Sequence, residues 1–265
     1  MSALPWSGDD RRRRCEVRGA HWIDQVLCWR PTDPDEVTTG DHETAVILLG
    51  GTFDLVGGGT AWPARGARPD PWRGRPMAVF LPPRTRFQVG HGSGELLLVS
   101  ARQPVPETPA ATGRATLAEK PLLPLAGSGK SFDPNSGEWK PAETFPTAPE
   151  SLPPRRLLRI PVGSATIERV FAPDYKAATL SVDEVVVPAG STLALGAIPG
   201  RPRCTEVVLF VRAAAGAATV QHAGGSTQGP GDLVLRLAGT GDDAHIHASP
   251  EGPAYVVVAY AGKGS

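Results

Sequence analysis

The sequence has little cysteine and few aromatic residues, and it carries no net charge. Cys15, Cys28 and Cys204 are its only three cysteines among 265 residues. An odd, unevenly spaced set does not provide a disulfide framework and is typical of proteins of the reducing cytoplasm. We therefore expect a cytoplasmic protein without disulfides.

The 27 basic and 27 acidic residues balance to a net charge of zero. A chain without net charge has no long-range field to attract a polyanion, so nucleic acid is not an expected partner. The one basic cluster, residues 11–14, lies between acidic residues and is interpreted as a solvated N-terminal arm. No apolar run reaches the roughly 20 residues of a membrane span, and the N-terminus lacks the order of a signal peptide. We expect no membrane partner.

Helical periodicity is also scarce, whereas glycine and proline are abundant, with 31 and 28 copies. Between them lie short runs of β-forming residues. In the first half the predicted strands are residues 45–49, 52–56, 77–81, 86–89 and 95–99. Gly50-Gly51 and residues 57–59 are interpreted as turns, because glycine reaches positive φ without steric cost.

The strand pattern resumes after Pro154. The predicted strands there are residues 157–160, 165–171, 180–187, 191–195, 206–211, 218–222, 232–237, 245–247 and 254–260. Residues 103–154 are rich in proline and predict a connector. Many short strands without helical periods favour antiparallel barrels or sandwiches. The predicted organisation is all-β, with an N-terminal barrel at residues 1–102, a connector at 103–154 and a C-terminal barrel at 155–265.

Several segments resemble one family, the bicupin uronate ketol-isomerases, which act on sugar acids in inositol catabolism and pectin breakdown. In the second half these segments are LSVDEVVVPAG (180–190), EVVLF (206–210) and HASPEGPAYVVV (247–258). In the first half they are GDHETAVILLGGTFD (40–54), WRGRPMAVFLPP (72–83) and ELLLVS (95–100). The resemblance implies two tandem cupin, or jelly-roll, barrels and aldose–ketose isomerisation of a 5-deoxy-glucuronate type of substrate.

The resemblance also implies a metal, usually zinc, held in the second barrel by His-x-His, a glutamate and a distant histidine. Glu206 and His247 stand at two of these positions, but Pro199 and Arg201 stand where the histidine pair is expected. Proline has no donor atom and a guanidinium stays protonated, so neither can bind a cation. The chain therefore either binds a divalent metal through other donors or binds no metal.

Other residues of the second half could provide a replacement set of metal donors. Side chains at i and i+2 share one face of a strand, so Cys204 with Glu206, and His245 with His247, could surround a tetrahedral zinc. The alternative is that Cys204 fills apolar space and His245 is solvated. Glu206 itself leads into an apolar run, where a buried carboxylate needs a polar partner.

These residues define the functional hypotheses. If the reaction of the family is retained, Glu206 and His247 lie at the catalytic centre, Arg201 binds the substrate carboxylate and His245 is a reserve acid or base. The alternative is a non-catalytic bicupin that binds a small carboxylate or acts as a scaffold. A cupin with other metal chemistry is a third class, since fold alone does not choose among them. Exposed strand edges also predict a homo-oligomer.

Overall fold

The computed structural model describes residues 3–57, 60–73, 77–102, 116–119, 130–133, 138–141, 158–171, 179–223, 225–237 and 239–262. These residues form twenty-one β-strands and one short 3-10 turn, Leu195–Ala197. Within that part of the chain, no helix is long and apolar enough to cross a membrane.

The first barrel is built from nine strands in one sheet, ordered β1-β2-β3-β8-β5-β7-β9, with β4 paired to β8 and β6 to β5. Its strands are β1 (Ser7–Gly8), β2 (Arg12–Glu16), β3 (Ile23–Trp29), β4 (Asp35–Thr38), β5 (His42–Gly57), β6 (Thr60–Arg68), β7 (Met77–Leu81), β8 (Arg86–Arg102) and β9 (Thr116–Glu119). β9 falls inside the predicted connector yet pairs with β7. The domain boundaries at 102 and 154 stay a prediction.

Two short strands, β10 (Lys130–Asp133) and β11 (Glu138–Pro141), pair with each other. The second barrel is formed by two sheets, ordered β12-β13-β14-β21-β16-β19 and β15-β20-β17-β18. Its strands are β12 (Leu158–Val162), β13 (Ala165–Phe171), β14 (Leu180–Val187), β15 (Thr192–Ala194), β16 (Glu206–Ala213), β17 (Ala218–His222), β18 (Gly225–Gly229), β19 (Asp232–Leu237), β20 (His245–His247) and β21 (Ala254–Ala261).

The predicted turn at Gly50-Gly51 is wrong, because both glycines lie inside the 16-residue strand β5. The register between β5 and β8 shifts between Leu48 and Gly50, so this is a β-bulge. Gly51 has φ +99°, and a Cβ there would lie 1.9 Å from the Ser93 carbonyl oxygen. Glycine is needed here for close strand approach rather than for a chain reversal. The segments 86–89 and 95–99, predicted as two strands, likewise belong to one continuous strand, β8.

Strand alternation divides the apolar residues into two barrel interiors and a third core between the barrels. β16 shows the division clearly. Val207, Leu209 and Val211 face the interior of the second barrel. Val208 and Phe210 face the other way and pack in the inter-barrel core against strands of the first barrel. Each barrel therefore buries one outer face of its sheet against the other barrel.

In the N-terminal arm Arg11, Arg12 and Arg14 are exposed, as the sequence predicted, whereas Arg13 is half-buried and the arm contributes a strand to the sheet. Residues 12–16 form β2, which pairs with β3 along its whole length. Cys15 is fully buried in the inter-barrel core, and the Leu4 amide donates to the Val234 carbonyl of the second barrel at 2.9 Å. Arg13 of this strand is therefore placed to pair with Asp232 of the second barrel.

Candidate functional site

Glu206 opens β16 on the face that points away from the interior of the second barrel. Its Oε2 accepts a hydrogen bond from the His21 amide at 2.9 Å and its Oε1 from the Ile23 amide at 2.8 Å. Only 2% of the residue is exposed, and Arg236 lies 3.6 Å from Oε2. Two charge-assisted bonds to main-chain N–H groups of the first barrel satisfy the carboxylate.

The two C-terminal histidines lie on the opposite sheet. In β20, Ile246 points into the interior of the second barrel, so His245 and His247 point outward. His247 Nδ1 lies 2.7 Å from the Thr192 hydroxyl of the neighbouring strand. His245 is exposed.

The four donors of the predicted zinc set are therefore not brought together. Cys204 packs in the interior of the second barrel, Glu206 faces the first barrel, and the histidines lie outside the four-stranded sheet. A tetrahedral zinc needs all its donors within about 2.3 Å of one point. The described residues of the second barrel do not fit the metal that the resemblance implies.

Arg201 belongs instead to a polar cluster at one end of the second barrel. Its guanidinium stacks over the Tyr260 ring, 5.4 Å from the centroid. Nη1 lies 2.7 Å from Oδ1 of Asp242, and Nη2 donates to the Thr240 carbonyl. The Arg201 side chain is 9% exposed, whereas that of Asp242 is 64% exposed. Arg201 Nε is buried without a hydrogen-bond partner among the described residues.

Asp183 and Arg169 form the inner part of this cluster. Arg169 Nε and Nη2 lie 3.0 and 3.3 Å from the two Asp183 oxygens, and the Tyr260 hydroxyl donates to Oδ2 at 3.3 Å. Burial raises the pKa of the Asp183 carboxyl, although Arg169, Tyr260 and Arg201 all favour its charged form. Burial likewise raises the pKa of Tyr260 well above its ordinary value.

Arg169 also holds the segment that carries Arg201. We call residues 198–205 the Arg201 loop. Arg169 Nη1 donates to the Gly200 carbonyl at 2.8 Å and Nη2 to the Pro199 carbonyl at 3.1 Å. Gly200 has φ +60°, a left-handed conformation that favours glycine. At the far end of the loop, burial raises the pKa of the Cys204 thiol, and Arg201 opposes that rise.

One other group of potential ligands lies between the barrels. Among the described residues, ligand atoms of Cys28, Glu95 and Asp232 lie within 4.8 Å of one another. Arg212 already bridges both carboxylates, with Nη1 at 2.6 Å from Glu95 and Nε at 2.6 Å from Asp232. Arg13 Nη2 adds a contact of 2.5 Å to Asp232. A divalent cation would have to displace these guanidinium groups, so this triad is an ion-pair network rather than a preformed metal site.

The cysteine of this triad is predicted to be inert. Burial, with smaller contributions from Asp232 and Glu95, raises the pKa of Cys28 to about 12. At pH 8 only about one thiol in ten thousand would then be a thiolate. In a thiol-labelling experiment at pH 8 we expect no rapid modification of Cys28 in the native protein, and rapid modification in urea. Fast labelling of Cys28 in the native protein would contradict this burial.

Comparisons with known proteins agree with this architecture. Residues 25–119 match the KduI/IolB family. A crystal structure of an IolB-like protein from Salmonella typhimurium LT2 is 14% identical, with a TM-score of 0.68 over 99% of this chain and 92% of that chain. A mutant of Bacillus subtilis oxalate decarboxylase is 11% identical, with a TM-score of 0.54 over 97% of this chain and 74% of that chain. No curated protein sequence matches the chain.

The family whose model matches residues 25–119 is the one that the sequence segments resemble. The predicted all-β fold of two cupin barrels is confirmed by the sheets described above and by these structural neighbours. The family supports a sugar-acid isomerase-like function. The structural likenesses, at 14% and 11% identity, concern the fold alone.

Proposed function

We propose that this KduI/IolB-type bicupin binds a small sugar acid of the 5-deoxy-glucuronate type at the end of its second barrel, with Arg201 as partner of the carboxylate. The proposal is based on the surroundings of the Arg201 guanidinium. It is buried over Tyr260, its Nε has no hydrogen-bond partner among the described residues, and its acidic partner Asp242 is mostly exposed.

An exposed acid is a replaceable partner. A surface ion pair contributes only about 0–1 kcal/mol, because water competes for both charges. The carboxylate of a ligand could take the place of Asp242 and bind the guanidinium in a bidentate manner, which is the geometry that arginine favours. The ring of Tyr260 keeps the guanidinium plane in place for this exchange.

The test is a titration of the purified protein with D-glucuronate, followed by NMR or calorimetry, with uncharged D-glucose as the control ligand. We expect glucuronate to bind and glucose not to bind. Arg201→Ala should weaken the affinity at least about tenfold, since a hydrogen bond to a charged group contributes about 1.5–3 kcal/mol. Arg201→Lys should recover part of it, because lysine keeps the charge but not the fork.

Arg203→Ala is the matched control, because Arg203 lies in the same loop and is exposed. It removes the same charge from the same segment. Equal losses of affinity in Arg201→Ala and Arg203→Ala would show a non-specific charge effect and would contradict the proposal. So would glucuronate and glucose binding alike.

Aldose–ketose isomerisation is the second candidate function, and Asp183 is the observation that favours it. In this reaction a base removes the proton from the carbon beside the carbonyl, and the resulting enediol regains a proton at the former carbonyl carbon. Asp183 is a carboxyl of raised pKa that accepts a hydrogen bond from Tyr260 and interacts with Arg201. Turnover of 5-deoxy-glucuronate, lost in Asp183→Asn, is the expected result. Because the carboxylate is the active form, the rate should fall as the pH drops through this raised pKa.

Binding without turnover would favour the alternative, a non-catalytic bicupin that holds a small carboxylate. A role in inositol catabolism, a cytoplasmic location and a homo-oligomeric state belong to the same proposal. Sedimentation of the purified protein tests the oligomeric state directly.

A further inference from the structure

Two glutamates fasten the barrels to each other in the same way. Glu206 of the second barrel accepts bonds from main-chain amides of the first, at His21 and Ile23. Conversely, Glu43 of the first barrel accepts bonds from main-chain amides of the second. Its Oε2 accepts from the Thr179 amide at 2.9 Å and from the Leu180 amide at 3.0 Å, both in the second barrel.

The two glutamates occupy equivalent places in their sheets. In the first barrel, Glu43 of β5 lies opposite Ala101 of β8, which in turn lies opposite Ile23 of β3. The corresponding row of the second barrel crosses β16, β21 and β14, with Glu206, Ala261 and Leu180. Both alanines are buried in the inter-barrel core, where their small side chains let the rows approach. The contact is reciprocal, as expected for two similar barrels packed about a local two-fold axis.

The contacts made by the two glutamates differ in the chain segments that lie next to them. Glu206 lies directly after the Arg201 loop, and its neighbour Thr205 is also fixed. The Thr205 amide donates to the Ala261 carbonyl at 3.1 Å, and Trp22 Nε1 of the first barrel donates to the Thr205 hydroxyl at 3.2 Å. Glu43 instead binds the start of β14, outside the Arg201 loop.

We infer that Glu206 is a positioning residue, which anchors the Arg201 loop to the first barrel and so fixes the place of Arg201. The inference rests on the proposed function. It gives the first barrel a role in that site, since residues 21–23 hold one end of the loop while Arg169 holds the other. It also gives Glu206 a purpose other than the binding of a metal.

The experiment compares Glu206→Gln with Glu43→Gln in the full-length protein. A glutamine amide keeps one acceptor oxygen but loses the charge that strengthens the two bonds. Hydrogen exchange without ligand is measured first. We expect the loop amides, those of residues 200, 201 and 203–205 because Pro199 and Pro202 have no N–H, to exchange at least about tenfold faster in Glu206→Gln. In Glu43→Gln those amides should keep the parent rate, while amides at 179–180 exchange faster.

The affinity for D-glucuronate is measured next. We expect it to weaken about tenfold in Glu206→Gln, because the arginine must be ordered when the ligand binds, and to stay within about twofold in Glu43→Gln. Equal effects of both variants on the loop and on the affinity would overturn the inference and leave only a structural clamp. If the parent protein bound no glucuronate, the proposed function would fail, while the exchange of residues 199–205 would still decide whether Glu206 anchors the loop.

A second variant covers the case in which Glu206→Gln does not fold. Trp22→Phe removes the indole N–H that bonds Thr205, together with the five-membered ring that carries it, and keeps a six-membered aromatic ring. It should increase exchange in the Arg201 loop in the same direction and by a smaller factor. Unchanged exchange at residues 199–205 in this variant would contradict the anchoring by the first barrel.

Discussion

Replacement of Arg212 by alanine is expected to destabilise the protein by about 3–5 kcal/mol, the usual cost of removing one partner from a buried ion pair. Arg212 pairs with Glu95 of the first barrel and with Asp232 of the second, through four contacts of 2.6–2.9 Å. All three side chains are at most 12% exposed. Without the guanidinium, two carboxylates remain buried beside each other, and among the described residues Arg13 and Arg30 are the cations left to pair with them.

Urea unfolding of the purified protein measures this loss. Arg86→Ala is the matched control, because Arg86 forms an ion pair with Glu36 in which its side chain is 73% exposed. That pair should contribute about 0–1 kcal/mol. If Arg212→Ala cost no more than Arg86→Ala, the network between the barrels would contribute nothing to stability.

The same network predicts how this difference depends on pH. Burial alone would raise the pKa of Glu95 and Asp232, but the hydrogen bonds and charge of Arg212 lower both below their ordinary values. A carboxyl with a lowered folded-state pKa contributes stability above its ordinary pKa of about 4 and loses it as the pH falls through the lowered value. In Arg212→Ala this contribution is missing at neutral pH. The gap between parent and variant should therefore narrow below about pH 4.

Strand positions were largely predictable from the sequence, because β-forming runs between turn residues report local preference. The predicted bounds of β14, β17 and β19 agree with the structure residue for residue. The strands before residue 40 were missed, since arginines on β2 looked like solvated charge. Arg13 of this strand pairs with Asp232 of the second barrel, a contact that no local pattern reveals.

The candidate site was less predictable, because it depends on which way each strand faces. A shift of one residue in the assumed register exchanges the two faces of a strand. Counting along the family pattern placed Glu206 inside the barrel, yet Val207 occupies that face. Arg169 and Asp183 lie directly opposite each other because β13 pairs with β14. The available signal was Asp183 itself, which with Glu184 places two carboxylates among the apolar residues of β14, where a buried carboxylate requires a partner.

Phe210→Ala should give the second large effect, a loss of about 3–5 kcal/mol, because the deletion leaves a cavity in a core that both barrels share. Phe210 is 1% exposed in the inter-barrel core. Its ring meets that of Trp6 edge to face, with centroids 6.3 Å apart, and Arg212 lies over it at 5.4 Å. The loss is measured by urea unfolding.

Leu209→Ala is the matched control for location. Leu209 is the neighbouring residue of the same strand, but it faces the interior of the second barrel, and its truncation should cost a comparable amount, about 2–5 kcal/mol. The two variants are expected to weaken different parts of the protein, Phe210→Ala the inter-barrel core and Leu209→Ala the interior of the second barrel. The Leu4 amide, which donates to Val234 across the interface, should exchange faster in Phe210→Ala through local opening, and in Leu209→Ala only as fast as global unfolding allows. Equal exchange of Leu4 in the two variants at equal stability would mean that the barrels open together, and that the inter-barrel core is not a separate cooperative contact.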